Sequence, residues 1–514
     1  MLKNKAVLIT SIFLLFFFML IAFIYYRLYV SFNFVDEYNN IVPAYFMLKG
    51  KLLYTDIFFN RQMLPAYISY IIQLLLHPDS LYQLIMYHRL FVLAFSVGMD
   101  LLLIARFKKP AIAFVLIYEL TKYYLFGFLF QAEALIVYPL IYLFGLVYER
   151  FKTATVYRIE YILAAICTWF VVFMREPYIP LALFLYFSIL VTKKIEKIHI
   201  ISIILFSILS LITIITVDIK EYIFQMVTVN SKITIPDQAR GGFMMELLKS
   251  FGYPIYIFIT GHWNLFHGFL IVLSISLLSL IAVLIRSKKL ILVGFIFIVL
   301  GLAAVRTIEP GTELYAGYRM LTWYSLVIFI IFSILFSDKL FKIRKSLAYF
   351  VIGIISIFGA YLTFNPWSFI WKDIDRKDEF AMNYSRHFTA GEVVRLLSDS
   401  DDRLFIDGYD SLIYWQAGIP SSYKYTFFYP PVENYPLYRD LRIQMFKKYP
   451  PDFYYKECIT KNNFRLPDFA VSSYREFIFD KTGTCLYIKR AKLEKVNDEQ
   501  LAKVKAYGYE LRLD

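Results

Sequence analysis

Long apolar runs dominate the sequence and most constrain the fold that it can adopt. The first run, 6–26, contains no charged residue and is long enough to cross the ~30 Å hydrocarbon core of a bilayer as a helix. The whole chain is 59% apolar, against about 45–50% in soluble domains. We therefore predict an α-helical polytopic membrane protein with about 11 transmembrane helices. The other predicted spans are 81–105, 111–126, 132–148, 159–174, 178–191, 198–217, 265–285, 290–305, 320–336 and 347–364.

Basic residues mark every second turn between these spans and indicate the orientation. Lys and Arg concentrate in the cytoplasmic turns of membrane proteins. The turns that are rich in them are 106–109, 150–158, 193–197, 286–289 and 339–345. The N-terminus is then cytoplasmic and the C-terminus lies outside, and we predict a multi-pass protein of the plasma membrane. The outer segments are 28–80, 218–264, 306–319 and the chain after 365.

The positive charge is concentrated in the membrane half of the chain. Residues 1–364 carry a net charge of +13, whereas residues 365–514 carry +1. Cytoplasmic basic turns account for this difference. No basic stripe is interleaved with exposed aromatic residues, so the sequence predicts no nucleic-acid partner.

We predict two domains, a transmembrane domain at 1–364 and a soluble extracytoplasmic α/β domain at 365–514. The second is too polar to lie in lipid, and strand and helix patterns alternate along it. A capping box at Thr389–Glu392 predicts a helix that ends at Leu397. A second helix is predicted at 436–449, with Pro at its first position. The predicted strands are 403–408, 452–455, 469–471 and 485–489.

The three cysteines divide between the two predicted domains. Cys167 falls within a predicted span and is interpreted as packing. Cys458 and Cys485 both lie in the predicted outer domain, where the compartment permits a disulfide. The sequence leaves open whether these two residues are bonded.

The first outer segment, 28–80, carries the strongest candidate chemistry. Asp36 and Glu37 are adjacent carboxylates that follow the first span, where charge is costly unless it is solvated or used. Asp36 is a candidate general base that deprotonates an acceptor hydroxyl. The alternative is a pair of solvated loop charges. Asp56, farther along the segment, is either a further site residue or an ordinary turn residue.

Arginines at predicted outer helix ends are candidate phosphate ligands. Arg175 lies beside Glu176 between two predicted spans, and a guanidinium offers a fixed fork of donors to a phosphate. Arg306 and Arg319 bound the outer turn between two later spans. The alternatives are an Arg–Glu pair that neutralises itself and a pair of arginines that snorkel toward water.

Three further ionisable residues, His88, Arg89 and Glu133, lie near predicted outer helix ends and are candidates to line a cavity. His262 and His267 are too poorly spaced to share one helical face. We therefore predict no metal site.

Four features of the sequence form a recognisable pattern. They are the acidic pair Asp36-Glu37, a G-x-x-x-Y-x-D pattern at Gly50, Tyr54 and Asp56, the dipeptide Leu64-Pro65, and Arg175 at a predicted outer helix junction. This pattern resembles the opening of integral-membrane glycosyltransferases of the GT-C fold, which have two prolines or Pro-Leu where this chain has Leu64-Pro65. The nearest groups are the dolichyl-phosphate-mannose protein mannosyltransferases and the bacterial aminoarabinose transferases, a glycosyltransferase family 39-like group. The segment 403–422 also resembles soluble domains attached to bacterial and archaeal members.

This resemblance implies transfer of a sugar from a polyprenyl-phosphate donor to a protein, lipid or glycan at the extracytoplasmic face, with inversion at the anomeric carbon. Asp36 would take the acceptor proton, and Glu37 and Asp56 would support it. The candidate arginines would stabilise the charge that develops on the phosphate. Lipid phosphate is a good leaving group, so no cofactor is required, although a divalent cation is compatible with the reaction.

Two other classes of function remain open. A transporter or lipid flippase would place its ionisable residues near the bilayer midplane, often in two repeated halves. The candidate residues instead lie at predicted outer helix ends, and the sequence shows no internal repeat. A non-catalytic membrane scaffold that displays its outer domain would not require Asp36.

Overall fold

A computed structural model describes residues 2–152, 156–191, 196–234, 265–304, 314–337, 345–425, 435–456, 466–480 and 482–512. The chain divides into two compact units. The helical unit comprises Met1–Tyr29, His88–Thr213 and Ala239–Asp373. The mixed unit comprises Val30–Tyr87, Ile214–Gln238 and Ile374–Asp514.

The described helices are numbered in chain order. They are α1 (Leu2–Leu28), α2 (Val35–Leu48), α3 (Leu64–Leu76), α4 (Leu81–Phe107), α5 (Lys109–Thr121), α6 (Ala132–Phe151), α7 (Arg158–Met174), α8 (Ile179–Leu190), α9 (Lys197–Ile215), α10 (Ile219–Ile223), α11 (Leu265–Arg286), α12 (Leu290–Ala303), α13 (Leu321–Leu335), α14 (Lys345–Phe364), α15 (Arg376–Leu397), α16 (Leu412–Ala417), α17 (Pro436–Lys448), α18 (Asp468–Val471), α19 (Arg490–Leu493) and α20 (Asp498–Ala506).

Within the described residues, seven helices are long and apolar enough to cross a membrane. They confirm the prediction of a helical membrane protein. The other four predicted spans coincide with shorter helices, α5, α7, α8 and α12. The count of 11 and the orientation stay predictions.

Two helices form the centre of the helical unit. In α6 and α13, 94% of the most apolar 18-residue stretch is buried inside the protein. The corresponding share is 22% in α1 and 17% in α9. Gly145 lets α6 approach its neighbour closely, because a Cβ there would meet the ring of Phe107 at 2.4 Å. The apolar side chains that α1 and α9 leave exposed are those that a lipid environment would cover.

The mixed unit contains a five-stranded sheet. Its strands are β1 (Leu404–Asp407), β2 (Phe453–Lys456), β3 (Tyr474–Phe479), β4 (Thr482–Lys489) and β5 (Tyr509–Leu511). They lie in the order β1-β2-β4-β3-β5. β1 and β2 are parallel, and the connection between them contains α16 and α17, as a parallel crossover requires. The other neighbours are antiparallel, with Tyr454 opposite Tyr487 and Arg475 opposite Ile488.

An aromatic core joins the three chain segments of the mixed unit. Phe58 comes from the first segment and Val229 from the second, and both pack with Phe405, Tyr438 and Tyr454 of the third. The segment predicted to lie outside, 28–80, therefore shares a hydrophobic core with the C-terminal residues and is not a free loop.

Four of the elements predicted after 365 are confirmed. The predicted helix at 436–449 is α17, and the predicted strands at 403–408, 452–455 and 485–489 are β1, β2 and β4. The capping box at Thr389 is wrong, because α15 already begins at Arg376 and the side chain of Asp375 accepts from the Lys377 N–H at 2.8 Å. The strand at 469–471 is also wrong, since these residues belong to the short helix α18.

A disulfide is present at Cys485. Cys167 is a free, buried thiol, as expected for a packing residue. Cys458, the other cysteine of the predicted outer domain, lies outside the described residues.

Candidate functional site

Asp36 and Glu37 occupy the first turn of α2, not a loop. Carboxylates are favourable there, since the N-terminus of a helix carries a partial positive charge. The two side chains differ in access. Glu37 is completely buried, whereas the Asp36 side chain is 25% exposed. Only Asp36 of this pair can meet a substrate without rearrangement.

Asp36 forms an ion pair with Arg61, a residue that the sequence did not single out. A terminal guanidinium nitrogen lies 2.5 Å from Asp36 Oδ1, and a second donates to the Asp36 carbonyl oxygen at 3.3 Å. Asn39 donates to the same Oδ1 at 3.4 Å. The Arg61 side chain is 15% exposed, so the pair lies at an accessible edge of the mixed unit.

The G-x-x-x-Y-x-D residues lie between α2 and Arg61, and one of them contacts Arg61. Gly50 follows the end of α2 with φ of +81°, a left-handed conformation that favours glycine. The buried Tyr54 donates its hydroxyl to the Arg61 carbonyl oxygen at 2.7 Å. Asp56 Oδ2 accepts from the Leu52 N–H at 2.9 Å. These contacts give Asp56 the geometry of a turn residue, and its role as a site residue stays a prediction.

In the helical unit, Arg175 and Glu133 are brought together. Arg175 Nε lies 2.9 Å from Glu133 Oε1, and Arg175 also lies 3.4 Å from Glu176. Arg175 follows the last residue of α7, and Glu133 lies in the first turn of α6. Arg175 and Glu133 are almost completely buried. The predicted pairing of Arg175 with Glu176 is present, but its distance is longer than that of the pairing with Glu133.

Arg319 lies on a segment that contacts the residues after Arg175. The hydroxyl of Tyr178 donates to the Arg319 carbonyl oxygen at 3.3 Å. Arg319 Nε donates to the Tyr318 hydroxyl at 3.3 Å, and the side chain is half-buried. The other arginine of the predicted pair, Arg306, lies outside the described residues. The structure therefore places only Arg319 of this pair.

His88 and Arg89 are completely buried near the start of α4. The His88 ring meets Phe130 edge-on with 4.9 Å between centroids, and the Arg89 guanidinium lies over Phe128 at 5.7 Å. Arg89 also donates to the Tyr29 carbonyl oxygen at 3.3 Å. Both residues therefore pack on the segment that precedes α6 and leads to Glu133.

A second group of charges lies among the membrane helices and was missed by the sequence analysis. Lys122 Nζ is 2.6 Å from Glu119 Oε2 and 2.9 Å from the Tyr138 hydroxyl, and that hydroxyl donates to Glu119 Oε1 at 2.6 Å. Ser96 accepts from Lys122 at 3.2 Å. Glu119, Lys122, Tyr138 and Ser96 are completely buried.

Asp100 adds an unmatched carboxylate to this group. It is completely buried and interacts electrostatically with Glu119 and Lys122. Within the described part of the chain, neither of its carboxylate oxygens has a hydrogen-bond partner. Asp100 lies about 10 Å from the end of α4 at 1.5 Å per residue, well inside the span. Ionised together, Asp100, Glu119 and Lys122 carry one negative charge in excess.

Two arrangements are therefore available for chemistry. The mixed unit presents a partly exposed carboxylate with a fixed arginine. The helical unit holds buried ion pairs, one at a helix end and one inside the spans. Among the described residues, no three or more His, Cys, Asp or Glu side chains are grouped to hold a metal ion.

Comparisons with known proteins give no independent assignment of these residues. No family model, no curated protein and no solved structure matches the chain.

Proposed function

We propose that this protein is a membrane glycosyltransferase that moves a sugar from a polyprenyl-phosphate donor to a protein, lipid or glycan acceptor at the extracytoplasmic face. The observation that carries the proposal is the Asp36–Arg61 pair, a partly exposed carboxylate held on a helix N-terminus by a fixed arginine. Tyr54 of the G-x-x-x-Y-x-D pattern supports it, because its hydroxyl donates to the Arg61 carbonyl oxygen.

In the proposed reaction, Asp36 accepts the proton of an acceptor hydroxyl. The hydroxyl oxygen attacks the anomeric carbon of the donor sugar from the face opposite the phosphate. The bond between that carbon and the phosphate oxygen breaks, and the oxygen keeps the electron pair. The products are the glycosylated acceptor with inverted configuration, free polyprenyl phosphate and protonated Asp36. General base catalysis of this kind contributes about 10²–10⁴-fold.

Arg175 lies in the helical unit, and its role as a phosphate ligand stays the one that the resemblance implies. Its pairing with Glu133 supports a fixed orientation of the guanidinium. We assign no required cofactor.

The disulfide at Cys485 supports an extracytoplasmic position of the C-terminal residues. Disulfides persist in oxidising compartments and are rare in the cytosol. The same unit carries Asp36, so the proposed reaction would take place on the outer side of the membrane.

The test is release of polyprenyl phosphate by purified protein in nanodiscs, with a panel of polyprenyl-phosphate sugars and a membrane extract as acceptor. We expect Asp36→Asn to lower the rate by about 10²–10⁴-fold without unfolding the protein. Asp440→Asn is the matched control, because Asp440 is an exposed carboxylate on α17 of the same unit. Equal rates for Asp36→Asn and wild type would refute the general-base assignment.

A second candidate function, a transporter, is favoured by one observation. Asp100, Glu119 and Lys122 are ionisable groups buried among membrane helices, where transporters carry coupling sites. A proton or a monovalent cation would neutralise their excess negative charge. Proteoliposomes loaded with a pH-sensitive dye test this function. Flux that Asp100→Asn abolishes, with no polyprenyl phosphate released by wild type, would favour the transporter.

A further inference from the structure

The mixed unit contains a cleft of about 770 Å³, which falls within the ~300–1,000 Å³ of small-molecule sites. It lies at the C-terminal end of α2. Asp36 is at the other end of that helix, about 14 Å from Tyr45 at 1.5 Å per residue. The cleft is therefore separate from the Asp36–Arg61 pair. The lining side chains used below are Tyr45, Glu392, Arg395, Trp415, Gln416 and Tyr507.

Aromatic rings line this cleft without being part of the unit's core. The short helix α16 buries Leu412, Ile413 and Tyr414, and leaves Trp415 half-buried at the cleft. Tyr507, at the end of α20, is half-buried as well. Rings held at an open cleft offer flat apolar faces to a ligand, together with a polar N–H or O–H at the rim.

Planar polar side chains stand beside the rings in fixed positions. Arg395 lies 2.6 Å from Glu392, and the Gln416 amide donates to the same carboxylate. Gly391 makes this possible, because a Cβ there would meet the Gln416 Cβ at 2.4 Å. The three side chains pair with one another. Binding of a ligand would therefore cost the protein little further side-chain entropy.

The charges around the cleft balance. Lys49 and Arg395 are matched by Asp79 and Glu392 among the lining residues. Lys49 also lies over the Tyr45 ring, 5.6 Å from its centroid. A phosphate or another anion would favour an excess of positive charge, and a lipid tail would favour an apolar wall. The lining instead suits an uncharged, strongly polar ligand with flat apolar faces.

We propose that this cleft binds an uncharged oligosaccharide. A pyranose ring has this combination of features, since its C–H face packs on an aromatic ring while its hydroxyls bond to carboxylate, amide and guanidinium groups at the edge. The bound glycan is the acceptor in our assignment, and only this role rests on the proposed function. Binding itself does not require transfer.

Saturation-transfer NMR on the full-length protein in detergent tests the proposal. The probes are maltotriose, mannotriose and chitotriose, with trigalacturonic acid as the anionic counterpart and phosphatidylglycerol vesicles as a lipid surface. We expect at least one neutral trisaccharide to bind. Trp415→Ala should weaken binding by about tenfold or more, whereas Trp415→Phe should keep it within about threefold. The control is Trp367→Ala, because Trp367 is 93% exposed and lies in the helical unit.

Retention of binding by Trp415→Phe rules out misfolding as the cause of the loss in Trp415→Ala. Equal affinity of wild type and Trp415→Ala would overturn the proposal, and so would the absence of binding by every neutral probe. Binding of trigalacturonic acid alone, or of the vesicles alone, would also overturn it. Release of polyprenyl phosphate, measured in parallel, separates this outcome from failure of the proposed transfer reaction.

Discussion

Arg61 pairs with Asp36 across a turn, and the two charges stay partly exposed. A pair of this kind contributes only about 0–1 kcal/mol to the free energy of unfolding. Its main effect is therefore on the position and charge of the Asp36 carboxylate. Arg61 is a cation in direct contact with the proposed base. It offsets the negative charge of Asp36 and limits the positions that the carboxylate can adopt.

We expect Arg61→Met to lower the transfer rate by about 10–10²-fold while the free energy of unfolding changes by about 1 kcal/mol or less. Arg61→Lys should recover part of the rate, because it restores the charge without the fork of donors. The measurement is polyprenyl phosphate release, with equilibrium unfolding in micelles as the check on folding. A large loss of stability with an unchanged rate per folded molecule would show that Arg61 is structural.

The Arg175–Glu133 pair should behave differently, since both partners are buried. Arg175→Met removes the guanidinium that pairs with the buried Glu133, and we expect a loss of about 3–5 kcal/mol in the free energy of unfolding. The double variant Arg175→Met with Glu133→Gln should recover more than half of that loss. Equilibrium unfolding in mixed micelles measures both values.

The exposed pair Arg439 and Asp440 is the control for that cycle. Removing its arginine should change the free energy of unfolding by less than about 1 kcal/mol. Additive effects of the Arg175 and Glu133 substitutions would contradict the pairing, because residues in contact give a coupling energy of about 0.5–3 kcal/mol.

The sequence predicted the elements whose signals are local. Long apolar runs predicted the membrane helices, and Pro436 followed by Pro450 marked the two ends of α17. The capping box failed because its residues have other partners. Thr389 shares a hydrogen bond with the Tyr509 hydroxyl at 3.1 Å, and Glu392 pairs with Arg395. A local motif cannot reveal that distant residues will use its side chains.

The candidate sites depend on such distant pairings. Asp36 was identified from its place after the first span, but its partner Arg61 lies beyond a turn whose geometry a sequence does not show. Lys122 was hidden for another reason. It opens a 3₁₀ turn directly after α5, in a stretch that reads as an apolar span, and its partners come from three other positions in the bundle. Glu119 and Lys122 are three residues apart in one predicted span, so their pairing had a local signal that the sequence analysis missed. Asp100, Ser96 and Tyr138 lie in other spans, and no local pattern indicates that they meet this pair.

The buried trio inside the spans gives a third prediction. Lys122→Met removes the cation that pairs with Glu119 and interacts with Asp100, and we expect it to destabilise the protein by about 3–5 kcal/mol. Asp100→Asn removes the excess negative charge and keeps the shape, so it should be neutral or stabilising by about 1 kcal/mol. Thermal unfolding in detergent ranks the variants. A large destabilisation by Asp100→Asn would show that its ionised form is needed for the fold.

The last prediction concerns His387 of α15, which is buried in the mixed unit. Burial, with the neighbouring Arg386 cation, lowers the pKa of His387 to about 3. Asp410 Oδ1 lies 3.1 Å from His387 Nε2, but its charge is already offset by Arg386, and Tyr455 donates to Oδ2 at 2.7 Å. The folded protein therefore holds this imidazole neutral.

In the unfolded chain the pKa of a histidine is about 6.5. Between that value and the folded pKa, the unfolded state binds a proton that the folded state does not. The stability that His387 contributes is therefore complete above pH 6.5 and is lost as the pH falls toward the folded value. We expect the free energy of unfolding to drop by about 1–3 kcal/mol between pH 7 and pH 4 through this residue.

His387→Gln should flatten that part of the stability profile, measured by equilibrium unfolding across the same pH range. His77→Gln is the matched control, because His77 is an exposed histidine of the same unit, and its profile should follow that of the wild type. If His387→Gln keeps the full pH dependence, the loss of stability in acid arises from carboxylates that become protonated, and His387 would then be a packing residue against Tyr38.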